Sequence, residues 1–89
     1  MPEWYFDITP EAERDLDKLD VPIRRRVVER LSWFQKNFTQ IIPLPLGGRL
    51  GGFFKLRVGD WRIIYEINES AKKVTIHAID KRDKIYKRK

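Results

Sequence analysis

Lys55, Arg57, Arg62, His77, Arg82 and Tyr86 gather in the second half of the chain. Cations, an imidazole and a phenol are the side chains that act on a phosphodiester without a metal. RNA carries its own nucleophile, the 2′-OH. A protein then needs only to align that hydroxyl, stabilise the charged phosphorane and assist proton transfer. The six residues are adequate for this, and equally adequate for binding an anion without reaction. Residue type alone does not choose between the two.

Other chemistries are easier to set aside. The chain has no cysteine, so a thiolate nucleophile, a disulfide framework and a thiolate metal site are excluded. Its one histidine rules out a two-histidine acid–base pair, and no His/Asp/Glu cluster has metal-ligand spacing. The Gly47-Gly-Arg-Leu-Gly-Gly52 run precedes a strand, not a helix, so it is not a nucleotide cradle. Neither a metal nor a cofactor is expected. No stretch approaches the roughly 18 apolar residues of a membrane span, and the N-terminus lacks a signal-like apolar run, which predicts a cytoplasmic protein.

The net charge is +6, and it is unevenly held. Residues 1–48 carry seven Lys/Arg against eight Asp/Glu, whereas residues 49–89 carry twelve against five. The second half holds the whole excess, so a polyanion is its natural partner.

These residues need elements to position them, and 89 residues suffice for one domain spanning 1–89. Trp4–Thr9 is rich in β-formers and predicts a first strand. Thr9-Pro10, followed by Glu11 and Glu13, is a helix start, with Ala12, Leu16 and Leu19 on one face. Asp20 is placed to cap a second helix, whose apolar stripe is Ile23, Val27, Leu31, Phe34 and Phe38. Two prolines and two glycines make 41–48 a loop. From Phe53 the period changes to two, with strands over 53–58, 61–67 and 73–79. The expected fold is α+β, in the order β-α-α-β-β-β, with an antiparallel sheet covered on one face by a helical hairpin.

Gly59-Asp60 suits a two-residue hairpin loop with glycine first, which sets Val58 against Trp61 and Arg57 against Arg62. For the second hairpin the apolar pattern sets the register, through a loop at 68–71. Trp61 then faces Ala78, Ile63 faces Ile76, and Glu66 faces Lys73. The apolar face runs from Phe54 to Ala78. The other face carries Lys55, Arg57, Arg62, Thr75 and His77, with Arg57, Arg62 and His77 in one row. Directly opposed arginines disfavour a sheet, so they either splay into water or hold an anion.

Phe54-Lys-Leu-Arg-Val-Gly-Asp-Trp-Arg-Ile-Ile-Tyr65, Val74-Thr-Ile-His-Ala-Ile-Asp-Lys-Arg82 and Ile85-Tyr86 resemble the RelE/ParE toxin superfamily, and its RelE branch in particular. The resemblance covers nearly the whole chain. It implies an endoribonuclease toxin that cuts mRNA in the ribosomal A site, leaving a 2′,3′-cyclic phosphate, and a cognate antitoxin that binds the basic surface. It implies catalytic roles for Lys55, Arg62, Arg82 and Tyr86, with Arg57 at a basic position beside them; Arg57, His77, Lys81 and Lys84 are the RNA contacts expected around this set. Tyr86 is then the proton-transfer or base-stacking residue, although the register puts His77 within the cationic row, where it positions substrate or serves the structure. Phe53 departs from the pattern, which can have a second lysine there. Two other functions fit the same surface: a ParE-like inhibitor of DNA gyrase, and an RNA-binding module without activity.

Overall fold

The computed structural model describes residues 3–85 and Lys87. Strand β1 (Tyr5–Ile8) leads into helix α1 (Pro10–Asp17). Helix α2 (Val21–Asn37) follows, then strands β2 (Leu44–Pro45), β3 (Phe54–Val58), β4 (Trp61–Asn68) and β5 (Lys73–Lys81), and the single turn α3 (Arg82–Ile85). The α+β fold with a helical hairpin against one sheet face is as expected. The sheet itself is mixed, in the order β1-β5-β4-β3-β2. β1 lies parallel to β5, a pairing that needs a long crossover connection, and the helices form part of it. None of the described helices is long and apolar enough to cross a membrane.

The helix starts obey local chemistry in one case and not in the other. The Thr9 hydroxyl accepts from Ala12 N–H at 3.1 Å, with Pro10 in the first turn. Asp20 occupies the start of α2, yet its carboxylate makes no capping bond. The α2 stripe behaves as its spacing predicts: Val27 and Phe34 are fully buried, and Ile23, Leu31 and Phe38 join the same core. Phe34 meets Tyr65 of β4 at 4.7 Å between ring centres, and Trp4, Phe6 and Phe38 close an edge-to-face aromatic group.

Helix α1 completes β5 where β1 ends. The last backbone bond along that edge runs from Thr9 N–H to Ile76 O, at 3.0 Å. Farther along, the Asp15 carboxylate accepts from Ile79 N–H at 3.0 Å, in a buried setting. This explains an aspartate on the apolar side of α1. Asp15→Ala should cost about 1–3 kcal/mol, since a buried N–H loses its acceptor, whereas Asp15→Asn should retain most of the stability. Urea denaturation of both variants checks this; an unchanged Asp15→Ala midpoint would refute the role.

Tyr65 is 1% exposed, and burial pushes its phenol from 10.0 up to about 12. The neutral phenol is thus the folded form. Its contribution is fully present below pH 10 and falls as pH rises from 10 to 12, because the unfolded chain releases the proton first. Tyr65→Phe should abolish this alkaline loss, measurable as the pH dependence of the denaturation midpoint. An equal loss in the variant would assign the effect elsewhere.

The β3–β4 hairpin has the expected register, with Gly59 at φ 59° in its two-residue turn. The β4–β5 register does not. Glu66 faces Thr75 and Ile63 faces Ile79, not Lys73 and Ile76. Two residues of this difference come from the turn, which spans 69–72 between Asn68 and Lys73 and is braced by Ala71 N–H on the Asn68 side chain. The third comes from a β-bulge. Tyr65 faces Ile76 and Ile64 faces Ala78, so His77 is an extra residue on β5. The bulge shifts the alternation: Val74, Ile76 and Ile79 face the helices, while Ala78 turns to the opposite side.

That opposite side has a small core of its own. Leu46, Ile64 and Ile85 are buried there, with Leu50, Phe53 and Ala78 packed around them. The segment expected to be only a loop contributes Leu46 to this core and forms β2, a two-residue edge strand beside β3 in which Pro45 is tolerated.

Candidate nucleic-acid interface

Lys55 and Arg57 alternate with the buried Leu56 and Val58 on β3, which turns both cations away from the helical hairpin. Across the sheet they define two rows. Lys55 is followed by Ile64 and Ala78, and Arg57 by Arg62 and Asp80. The expected row of Arg57, Arg62 and His77 is therefore corrected: an aspartate stands where the histidine was expected, because of the turn shift and the bulge.

The two arginines that share a row are not equivalent. Arg57 is exposed, whereas Arg62 is 8% exposed. Arg62 Nη1 donates to Gly59 O at 2.8 Å and to Trp61 O at 2.9 Å, so its guanidinium clasps the β3–β4 turn. This relieves the like-charge opposition by sending one arginine to water and the other to backbone carbonyls.

The same turn receives two further arginines. Arg82 N–H donates to Asp60 O at 2.9 Å, which docks the start of α3 against it. Arg26 of α2 lies so close that a Cβ on Gly59 would sit 3.0 Å from its Nη2. Arg26 belongs to the Arg24-Arg25-Arg26 run of α2, and its residue type gives no sign of this placement. Its approach to the turn depends on how α2 lies on the sheet.

His77 is placed differently from expectation in every contact. Its Nε2 is 2.9 Å from Glu66 Oε1, and its ring meets Phe53 edge-on at 5.1 Å. Glu66 is thus engaged with His77, and Lys73 pairs instead with Asp7 at 3.5 Å. Lys81 lies 6.0 Å from the Trp61 ring, and Lys84 lines a cavity with Trp61 and Asp80. These two lysines therefore mark the Trp61 end of the sheet, away from His77. Tyr86 lies outside the described residues. Among the described residues, no group of three His, Asp or Glu side chains is arranged to hold a metal ion.

This arrangement, a helical hairpin on a mixed sheet with cations gathered at the β3–β4 turn, is matched by toxins of the RelE/ParE type. The family model for the ParE toxin of the type II toxin–antitoxin system parDE matches residues 6–86, and the chain belongs to that family. It is 35% identical over 80 residues to toxin RelG of Mycobacterium tuberculosis, covering 90% of this chain and 92% of that protein. It is 31% identical over 84 residues to toxin RelE of the same organism, covering 94% and 87%. Among solved structures, the toxin–antitoxin complex RelBE2 from M. tuberculosis superposes with a TM-score of 0.76 at 30% identity, over 91% of this chain and all of that one.

Proposed function

We propose that this toxin is a ribosome-dependent endoribonuclease that cleaves mRNA without a metal. The observation that carries the reading is the gathering of Arg62, Arg26 and the backbone of Arg82 at one turn, beside exposed Arg57. Its similarity to toxins named RelG and RelE supports the same reading. In the reaction, the substrate 2′-OH attacks the adjacent phosphorus and the 5′-oxygen leaves, giving a 2′,3′-cyclic phosphate. Lys55, Arg62 and Arg82 stabilise charge on the phosphorane, and Tyr86 serves proton transfer or stacks on a base. Arg57, Lys81 and Lys84 contribute RNA contacts, and His77 helps position the substrate or the strand. Cell-free translation with primer extension tests this: discrete cuts at codons are expected.

A second reading is favoured by one observation. Arg62 is bound to backbone carbonyls, as an arginine with a purely structural duty would be. A ParE-like gyrase inhibitor accommodates this, and the matched family model is described as ParE. Intact message together with blocked DNA supercoiling would establish that alternative.

The proposed partners are mRNA in the ribosomal A site, in the cytoplasm, and a cognate antitoxin. The solved RelBE2 relative is a toxin–antitoxin complex. An acidic antitoxin seated on the basic half should associate more slowly as salt rises, because steering between charges is screened. Stopped-flow association rates that stay flat with ionic strength would count against that placement.

A further inference from the structure

At the sheet edge remote from β1, α2 and β3 frame a strip that begins at Lys55 and Arg57 of the proposed cleavage surface and continues onto α2. Trp33 of α2 is 41% exposed, and the Arg30 guanidinium lies 4.2 Å from its ring centre. Arg30 Nε is buried without a hydrogen-bond partner, and no ion pair of Arg30 is found among the described residues. Arg26, one turn earlier, flanks the pair on one side. On the other, a cavity of about 170 Å3 is walled by Trp33, Ile42, Lys55 and Arg57. Glu29 is the one acid among the described residues lining the strip.

We propose that this strip binds a segment of single-stranded RNA, with a base stacked on the Trp33–Arg30 pair and flanking phosphates on Arg26, Arg57 and Lys55. The inference rests on the RNA-directed reading above and extends it around the β3 edge. Unpaired bases stack on aromatic rings and guanidinium planes alike, and each stacked base is accompanied by a phosphate. Here a ready-made plane stands between cations at both ends. An acidic polypeptide would neutralise the cations but offer no matching plane to the indole. A duplex would present phosphates while keeping its base faces hidden.

The test is an anisotropy titration of the purified chain against a labelled oligouridylate of about a dozen nucleotides. Trp33→Ala should weaken binding about tenfold, the usual loss for one stacked base. Trp33→Phe should recover much of it, and affinity for duplex RNA of the same length should stay within about twofold. Because Trp33 is half in solvent, unfolding is not expected, and the phenylalanine variant controls for it. Wild-type protein that does not bind the oligomer, or equal affinity in Trp33→Ala, would overturn the proposal. A parallel loss of affinity for polyglutamate would also overturn it and make the strip a protein surface. Trp33-dependent RNA binding with intact message in the translation assay would sink the nuclease reading alone. Message cleavage with Trp33-independent binding would sink this inference alone.

Discussion

Arg62→Ala is expected to lower message cleavage by roughly 10²–10³-fold, the scale for removing one donor to a developing anion, and to destabilise the domain as well. From the strand pattern alone, truncation of this arginine should be harmless to the fold, or even relieve its clash with Arg57. The structure reverses that expectation. Opposed like charges cost a few tenths to about 1 kcal/mol. Hydrogen bonds from a charged donor are worth about 1.5–3 kcal/mol, and Arg62 makes two, to Gly59 O and Trp61 O. The bonds win, so a net loss of about 1–3 kcal/mol is expected. Arg82→Ala is the companion that separates chemistry from folding. Its side chain is exposed and its bond to Asp60 O comes from the backbone, which alanine keeps. It should lose cleavage comparably, with stability within about 0.5 kcal/mol of wild type. Cleavage rates on ribosome-bound message and urea midpoints together check both. Wild-type cleavage by a folded Arg82→Ala would remove that residue from the chemistry.

The second large effect concerns the proton. Tyr86→Phe should lose most of the cleavage rate, on the order of 10²–10⁴-fold if it carries general acid–base work. His77→Gln should keep most of it. An imidazole is the natural base near neutral pH, but His77 has structural duties. Its Nε2 is engaged by Glu66, its ring rests on Phe53, and its carbonyl accepts from the Thr9 hydroxyl at 3.4 Å. It is also the extra residue of the bulge that turns Ile79 into the core. The comparison needs both variants assayed across pH. A folded but inactive His77→Gln, beside an active Tyr86→Phe, would make the histidine the base.

Much of this protein was legible in its residues because the governing physics is local. Thr9-Pro10 starts a helix by its own hydroxyl and ring. The α2 stripe is buried because one face of a helix repeats every three to four residues. Gly59-Asp60 dictates the β3–β4 register, because a two-residue loop leaves the strands no slack. The β4–β5 pairing lacks such a constraint. Its turn is longer, and a shift of two residues leaves the same side chains on the same face, so the apolar pattern cannot distinguish the registers. The bulge at His77 then moves Ala78 from one face to the other, with no signature in residue type. The clasp of Arg62 on the turn, the approach of Arg26 to Gly59, and the second core under α3 follow from these packings. So does the parallel place of β1 beside β5. Residue chemistry and local spacing determined the elements, the basic half and the cations available to the site. Which of those cations face water, which hold the backbone, and which stand together was decided by long-range pairing, where segments far apart in the chain compete for the same edge and the same face.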